Sequence, residues 1–182
     1  LRKINNLKTL GRFIYLPLHY QPEASTEVNF KAYTDQLSFI NSVRNIVNKD
    51  LNILVKLNPL SQTPRPYKKS IYFWETIEKM DKTFVISEKI PTKELLNKCE
   101  LVASVAGTAC FEANLIGKPS IFGGHSHFSD SPLSINISKL NNTAEFNEWF
   151  NSIKNEDTEI KKMKINTYLA NLESDSIPGH FH

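Results

Sequence analysis

Cysteine is scarce in this sequence, which has Cys99 and Cys110 and no other in its 182 residues. Both fall within predicted helices, and their number and spacing suggest neither a disulfide framework nor a metal site. Long apolar runs are also missing, since none approaches the ~18 residues that a membrane-spanning helix needs. The start shows no secretory signal pattern either, so these absences favour a reducing, cytoplasmic setting.

An excess of charge of either sign is missing as well. The net charge is +3, which is too small by itself to indicate a nucleic-acid partner. No GxGxxG follows the first predicted strand and no P-loop pattern occurs, so neither of these nucleotide-binding fingerprints is present. Hydrophobic residues make up 40% and charged residues 23%, as in an ordinary globular protein. The length suits one domain or a piece of a larger protein.

The most informative stretch of the chain is LVASVAGTACFEANLIGKPSIFGG, residues 101–124. It opens with an apolar run of a length that suits a buried strand, residues 101–105. A helical pattern at 109–116 follows, and Gly117 ends it. A second apolar run at 120–122 completes the pattern, which predicts one βαβ unit.

A turn of small residues opens the helix of this unit. Such a turn lets an anion approach free backbone N–H groups at the positive end of the helix dipole. Ser104, Gly107, Thr108 and Gly124 would lie at the carboxyl edge of the sheet, where open parallel sheets bind ligands. Glu112 lies four residues after Thr108, one too many for a capping box, so it is free to accept hydrogen bonds from sugar hydroxyls. The alternative is ordinary turn chemistry.

Elements of the same kind flank this unit. Further strands are predicted at 12–18, 51–57 and 83–87. Further helices are predicted at 30–48, 67–80, 92–99, 142–154 and 157–173, with Thr92 as an N-cap. The alternation predicts a doubly wound, mostly parallel α/β sheet of about five strands with helices on both faces.

The predicted domain covers residues 12–173. Residues 1–11 read as a linker or as the end of a missing N-terminal domain, because the chain begins at Leu1 without Met. Residues 174–182 read as a tail.

Polar loops follow the predicted strands. The first, HYQPEAST at 19–26, holds more donors and acceptors than turn geometry requires, although His19 could be structural and Glu23 could be solvated. Lys56 places a cation near the same edge, with snorkelling to the surface as the alternative. The loop after the predicted strand at 120–122 has His125 and His127, but no partner has metal-ligand spacing, so we expect no metal there and favour contact of His125 with a base or phosphate.

Three blocks of the sequence resemble one known family. YLPLHYQPEAST at 15–26, LVKLNP at 54–59 and SVAGTACFEANLIGKPSIFGG at 104–124 look like the C-terminal half of bacterial capsule and surface polysaccharide biosynthesis proteins. These are similar to the capsule Kdo transferases, which have the two-Rossmann-domain GT-B architecture. The resemblance covers most of residues 12–128.

The resemblance implies a domain that binds the nucleotide-sugar donor of a glycosyltransferase, without an obligate metal or other cofactor. Ser104, Gly107 and Thr108 would contact the donor phosphate, and Glu112 the ribose hydroxyls. Charge at the phosphate would come from Lys56 or His125, and Asn58 would contact the base. The residues expected to line the cleft near the transferred sugar, with His19 and Glu23 as catalytic candidates, are His19, Gln21, Glu23, Ser25 and Thr26.

The same resemblance implies the partners. They are a nucleotide sugar, a glycan or glycolipid acceptor and the missing N-terminal domain. The expected location is cytoplasmic, either away from the membrane or at the cytoplasmic face of the inner membrane. The Kdo transferases usually show His-Pro where this chain has Asn58-Pro59, so both a CMP-Kdo-like donor and a UDP-sugar stay open. Two alternatives to a transferase also stay open: a GT-B-type nucleotide-sugar epimerase and a non-catalytic assembly module.

Overall fold

The computed structural model describes residues 3–7, 10–19, 35–57, 69–105, 108–124 and 130–175. Within these ranges the strands are β1 Phe13–Pro17, β2 Asn52–Lys56, β3 Thr83–Ile86, β4 Leu101–Ser104, β5 Ser120–Phe122 and β6 Ser134–Asn136. The α-helices of the same ranges are α1 Gln36–Ile46, α2 Ile71–Lys79, α3 Thr92–Lys98, α4 Thr108–Leu115, α5 Thr143–Lys154 and α6 Thr158–Asp175.

The described strands form one parallel sheet in the order β3-β2-β1-β4-β5-β6. The order reverses between β1 and β4, which makes the gap between them the topological switch point of a doubly wound fold. The predicted fold class is therefore confirmed, with six strands where about five were expected. The missed strand is β6, a half-buried Ser-Ile-Asn that is too short to give a hydrophobic pattern.

Helices cover both faces of the sheet because strand side chains alternate between them. On β2, Ile53 and Val55 belong to the cluster beneath α1, α2 and α5, whereas Leu54 belongs to the cluster beneath α3 and α4. Burial on both sides explains why the strands read as nearly continuous apolar runs. A smaller cluster joins α6 to α5 through Ile165 and Ile153.

Side-chain caps set the starts of several helices. Asp35 caps α1 and Ser70 caps α2, each by accepting a backbone N–H of the first turn. The prediction that Thr92 is an N-cap is wrong, because Pro91 holds that position and Thr92 is already helical. The predicted start of α1 at residue 30 lies outside the described residues.

Part of the predicted linker lies against the outer edge of the sheet. Ile4 N donates to Val85 O at 2.9 Å, and Ser87 N donates to Ile4 O at 2.9 Å, which forms one parallel bridge beside β3. Leu7 is buried in the same cluster as α3 and α4. In the described part of the chain, none of the helices has the length and apolar character that crossing a membrane would require.

Candidate functional site

The ends of β1 and β4 meet at the switch point. His19 follows β1, Ser104 ends β4, and the His19 Nε2 atom lies 2.8 Å from Ser104 Oγ. Ser104 is fully buried. The sequence predicted that these two residues reach the same edge, and the structure joins them by a hydrogen bond across the place where α/β sheets bind ligands.

The His19 main chain is held by a side chain that the sequence analysis missed. His19 N donates to Gln36 Oε1 at 3.1 Å, and Gln36 Nε2 donates to His19 O at 3.2 Å. Gln36 is 3% exposed. The signal for it was available, because Gln36 shares the apolar face of α1 with Phe39, Ile40 and Val43 at helical spacing. A polar residue in such a row needs a buried partner.

The imidazole of His19 is neutral at pH 7. Burial, and secondarily the positive charge of Lys69, lowers the pKa of His19 to about 4. A neutral imidazole carries one donor and one acceptor. It therefore suits hydrogen bonding to an uncharged group better than contact as a cation with a phosphate.

Lys69 is a cation at the same edge that the sequence analysis did not single out. It immediately precedes the N-cap of α2, which follows β2, and its Nζ lies 4.9 Å from the centre of the Phe73 ring. Burial lowers the pKa of Lys69, and the charge of Asp35 opposes that shift. The structure thus places a half-buried positive charge close to His19.

The carboxyl ends of β4 and β5 form the rest of this edge of the sheet. Gly123 N donates to Ser104 O at 3.0 Å, so the pairing of β4 with β5 continues past the strand ends. A Cβ on Gly123 would lie 2.8 Å from ring atoms of Phe39, so the close packing here requires glycine. Gly124, a predicted binding residue, is buried, and its carbonyl accepts from Asn136 Nδ2 at 3.2 Å.

The first two turns of α4 carry Thr108 and Glu112. Both side chains are exposed, and Thr108 is the first residue of the helix. Burial raises the pKa of Tyr15 to about 12, a hydrogen bond with Thr92 opposes the shift, and the charge of Glu112 adds to it. Glu112 is an exposed carboxylate one turn after the start of α4.

Lys56 is turned under a neighbouring loop. It is 4% exposed, and its Nζ donates to Ile90 O at 2.6 Å and to Thr92 Oγ1 at 3.2 Å. The alternative that Lys56 snorkels to the surface is therefore wrong. Its ammonium holds the connection between β3 and α3, and contact with a donor phosphate stays a prediction.

The remaining predicted site residues lie outside the described residues: Gln21, Glu23, Ser25, Thr26, Asn58, Gly107 and His125. Among the described residues, no group of three or more His, Cys, Asp or Glu side chains could hold a metal ion.

Comparison with known proteins identifies related sequences and folds. The family model described as "Capsule polysaccharide biosynthesis protein" matches residues 9–167. No curated protein sequence matches the chain.

Solved structures share the fold. One is described as Thermosulfurimonas dismutans KpsC, beta Kdo 2,7 transferase, with 19% identity, a TM-score of 0.53, and coverage of 76% of this chain and 44% of that chain. A second is described as the beta Kdo 2,4 transferase of the same KpsC, with 18% identity and a TM-score of 0.52. The match covers 76% of this chain and 43% of that chain. A third is the Methanocaldococcus jannaschii UDP-GlcNAc 2-epimerase in complex with UDP-GlcNAc and UDP, with 12% identity and a TM-score of 0.53. The match covers 90% of this chain and 45% of that chain. The chain thus spans less than half the length of each.

Proposed function

The chain belongs to the family of capsule polysaccharide biosynthesis proteins, and from this membership we propose that it is the donor-binding domain of a glycosyltransferase. The whole protein would transfer a sugar from a nucleotide sugar to a glycan or glycolipid acceptor. The observation that carries the proposal is the His19–Ser104 contact at the switch point, next to the start of α4. Polar groups of two chain segments converge there, as a ligand site of this fold requires.

The parts of the donor would meet different groups of the edge. The phosphate would lie at the start of α4, where backbone N–H groups and the helix dipole favour an anion and Thr108 adds a hydroxyl. Glu112, exposed one turn later, would accept hydrogen bonds from the ribose hydroxyls. The neutral His19 would bond to the transferred sugar.

The reaction needs stabilisation of negative charge. The acceptor oxygen bonds to the anomeric carbon, the bond from that carbon to the donor phosphate breaks, and the acceptor proton passes to a base. Fixed dipoles and cations at the departing phosphate lower the barrier to such a step. The start of α4 would supply the fixed dipoles, and Lys69, which lies near His19, would supply the positive charge.

His19 and Glu23 are the two candidates for the base that takes the acceptor proton. A group with a pKa of about 4, such as His19, is a weak base at pH 7. Glu23, the second catalytic candidate, lies outside the described residues. The acceptor and the remaining catalytic groups are assigned to the other half of the protein, together with any contact with the cytoplasmic face of the inner membrane.

Calorimetric titration tests donor binding directly. CMP, UDP and GDP, and the sugars of each, are added separately to the chain. We expect one nucleotide to bind. We expect Glu112→Ala to weaken its binding by roughly ten- to a hundredfold, since a hydrogen bond to a carboxylate contributes about 1.5–3 kcal/mol. Glu148→Ala, at an exposed position of α5, is the matched control and leaves the affinity unchanged. The absence of binding by every nucleotide would refute the proposal and favour a non-catalytic assembly module.

Product analysis separates the transferase from an epimerase. The fold is shared with a UDP-GlcNAc 2-epimerase as well as with the Kdo transferases, and donor binding alone does not distinguish the two. The full-length protein is incubated with the nucleotide that binds, as its sugar, and with a glycan acceptor. Release of free nucleotide with a lengthened acceptor supports transfer, whereas an epimerised nucleotide sugar overturns it.

A further inference from the structure

The side chain of Gln36 is buried at the start of α1 but does not cap the helix. Gln36 is the first residue of α1, and the cap of that helix is Asp35, whose Oδ1 accepts from Leu37 N at 3.1 Å. Burying a primary amide is costly unless its donor and acceptor are both satisfied. Its neighbours on the same helix face, Phe39 and Ile40, are fully apolar and almost completely buried.

Both polar atoms of the Gln36 amide are used on one residue. The oxygen accepts from His19 N at 3.1 Å and the nitrogen donates to His19 O at 3.2 Å. In a sheet, an adjacent strand bonds the main-chain N–H and C=O of a residue, and here the side chain of Gln36 takes that role. One position earlier, Leu18 N still donates to the β2 carbonyl of Lys56, at 2.8 Å. Gln36 therefore bonds the main chain one residue after the Leu18 hydrogen bond to β2.

The direction of the His19 side chain follows from this restraint. Two hydrogen bonds on one residue limit its φ and ψ, and these angles set the direction of the Cα–Cβ bond. In that orientation the Nε2 atom lies 2.8 Å from the buried Ser104 Oγ on the other side of the switch point. Rotation of an unrestrained His19 backbone would carry the ring away from Ser104.

We propose that Gln36 is a positioning residue, whose side-chain amide clamps the His19 main chain and thereby holds the imidazole against Ser104 at the donor site. The clamp itself is a property of the fold, and its effect on donor affinity rests on the proposed function. Glutamine suits the task because it offers one donor and one acceptor without charge. A methionine of similar size has no donor and only a weak sulfur acceptor.

The first measurement uses the unaltered chain. In native-state hydrogen exchange, the His19 amide should be protected at least a hundredfold relative to an unstructured peptide, because Gln36 Oε1 accepts its hydrogen. In ¹⁵N spectra of the imidazole nitrogens at pH 7, identified by their loss in His19→Gln, His19 should show one dominant tautomer. An unprotected amide or an averaged tautomer would overturn the proposal, whatever the variants do.

The second measurement compares two variants of α1. Gln36→Met removes the clamp, and we expect averaging of the His19 tautomers and a rise of its pKa from about 4 towards the ordinary value near 6.5. Val43→Ala is the control, because it creates a cavity in the core against the same helix. It should lower stability but leave the imidazole spectrum unchanged. Equal spectral effects of the two variants, or no effect of Gln36→Met, would contradict a positioning role.

Nucleotide titration then separates this inference from the proposed function. If the unaltered chain binds one of CMP, UDP or GDP, Gln36→Met should weaken it by roughly tenfold, corresponding to about 1.4 kcal/mol, and Val43→Ala should not. If the chain binds none of them, the donor-site proposal fails while the imidazole spectra still decide the clamp. Binding that is unaffected by Gln36→Met would remove the link between the clamp and the donor.

Discussion

At the scale of the single residue, the buried imidazole of His19 makes the stability of the domain depend on pH. Its pKa is lowered to about 4 in the fold, by burial first and by the charge of Lys69, against about 6.5 in an unfolded chain. Between these values the unfolded state binds more protons, so stability that is present above pH 6.5 is lost as the pH falls through 4. We expect His19→Gln to show a smaller fall in melting temperature between pH 7 and pH 4.

Thermal unfolding at constant ionic strength measures this difference. The comparison uses the slope with pH and not the melting temperature itself, because His19→Gln also loses the contact with Ser104. Carboxylates that titrate in the same range, such as Glu100 with its lowered pKa, contribute equally to both chains. Identical slopes would show that His19 is as readily protonated in the fold as in the unfolded chain.

At the scale of the element, the cap of α5 is a stability determinant that the structure defines. Asn142 Oδ1 accepts from Ala144 N at 2.9 Å and from Glu145 N at 3.0 Å. We expect Asn142→Ala to lower the free energy of unfolding by about 1 kcal/mol, because two helix N–H groups lose their acceptor. Urea denaturation measures the change, and Asn142→Asp, which keeps an acceptor oxygen, should retain most of the stability. Equal losses in both variants would argue against the cap.

At the scale of the whole molecule, ligand binding at the switch point should stabilise the entire domain. A nucleotide that binds the folded chain alone adds about 2.7 kcal/mol when its concentration is a hundred times Kd. For a chain of this size we expect this to raise the melting temperature by roughly 5–10 °C. Differential scanning fluorimetry measures the rise, and Glu112→Ala should show less of it at the same nucleotide concentration. Melting that no nucleotide changes would count against the donor site.

Most elements of the fold were predictable because their signals are local. The apolar runs of β1, β2 and β4 come from burial on both faces, and the helix patterns predicted the described parts of α2, α4 and α5 to within a few residues. The strand that escaped prediction, β6, has three half-buried residues and depends on pairing with β5. A short strand that forms only by pairing with a neighbouring strand shows little hydrophobic pattern in its own sequence.

The site was predictable in part for the same reason. His19 and Ser104 could be placed at one edge because each follows a predicted strand and parallel strands end together. The helical pattern of α1 marks Gln36 as a buried polar residue that needs a partner, but it does not identify His19 as that partner. Lys69 gave no such signal, since its relevance comes from its proximity to His19, which is distant in sequence. Lys56 was expected at the edge, and the structure adds that its ammonium is held by Ile90 and Thr92.

The sequence by itself determined the class of fold, the central βαβ unit and the likeness to capsule polysaccharide biosynthesis proteins. These signals are local, because apolar periodicity and small-residue turns involve residues that are close together in the chain. The tertiary structure alone decided the strand order, and with it that β1 and β4 are neighbours. It also decided that the Gln36 amide closes on His19, since a hydrogen bond between segments 17 residues apart depends on how the intervening chain packs.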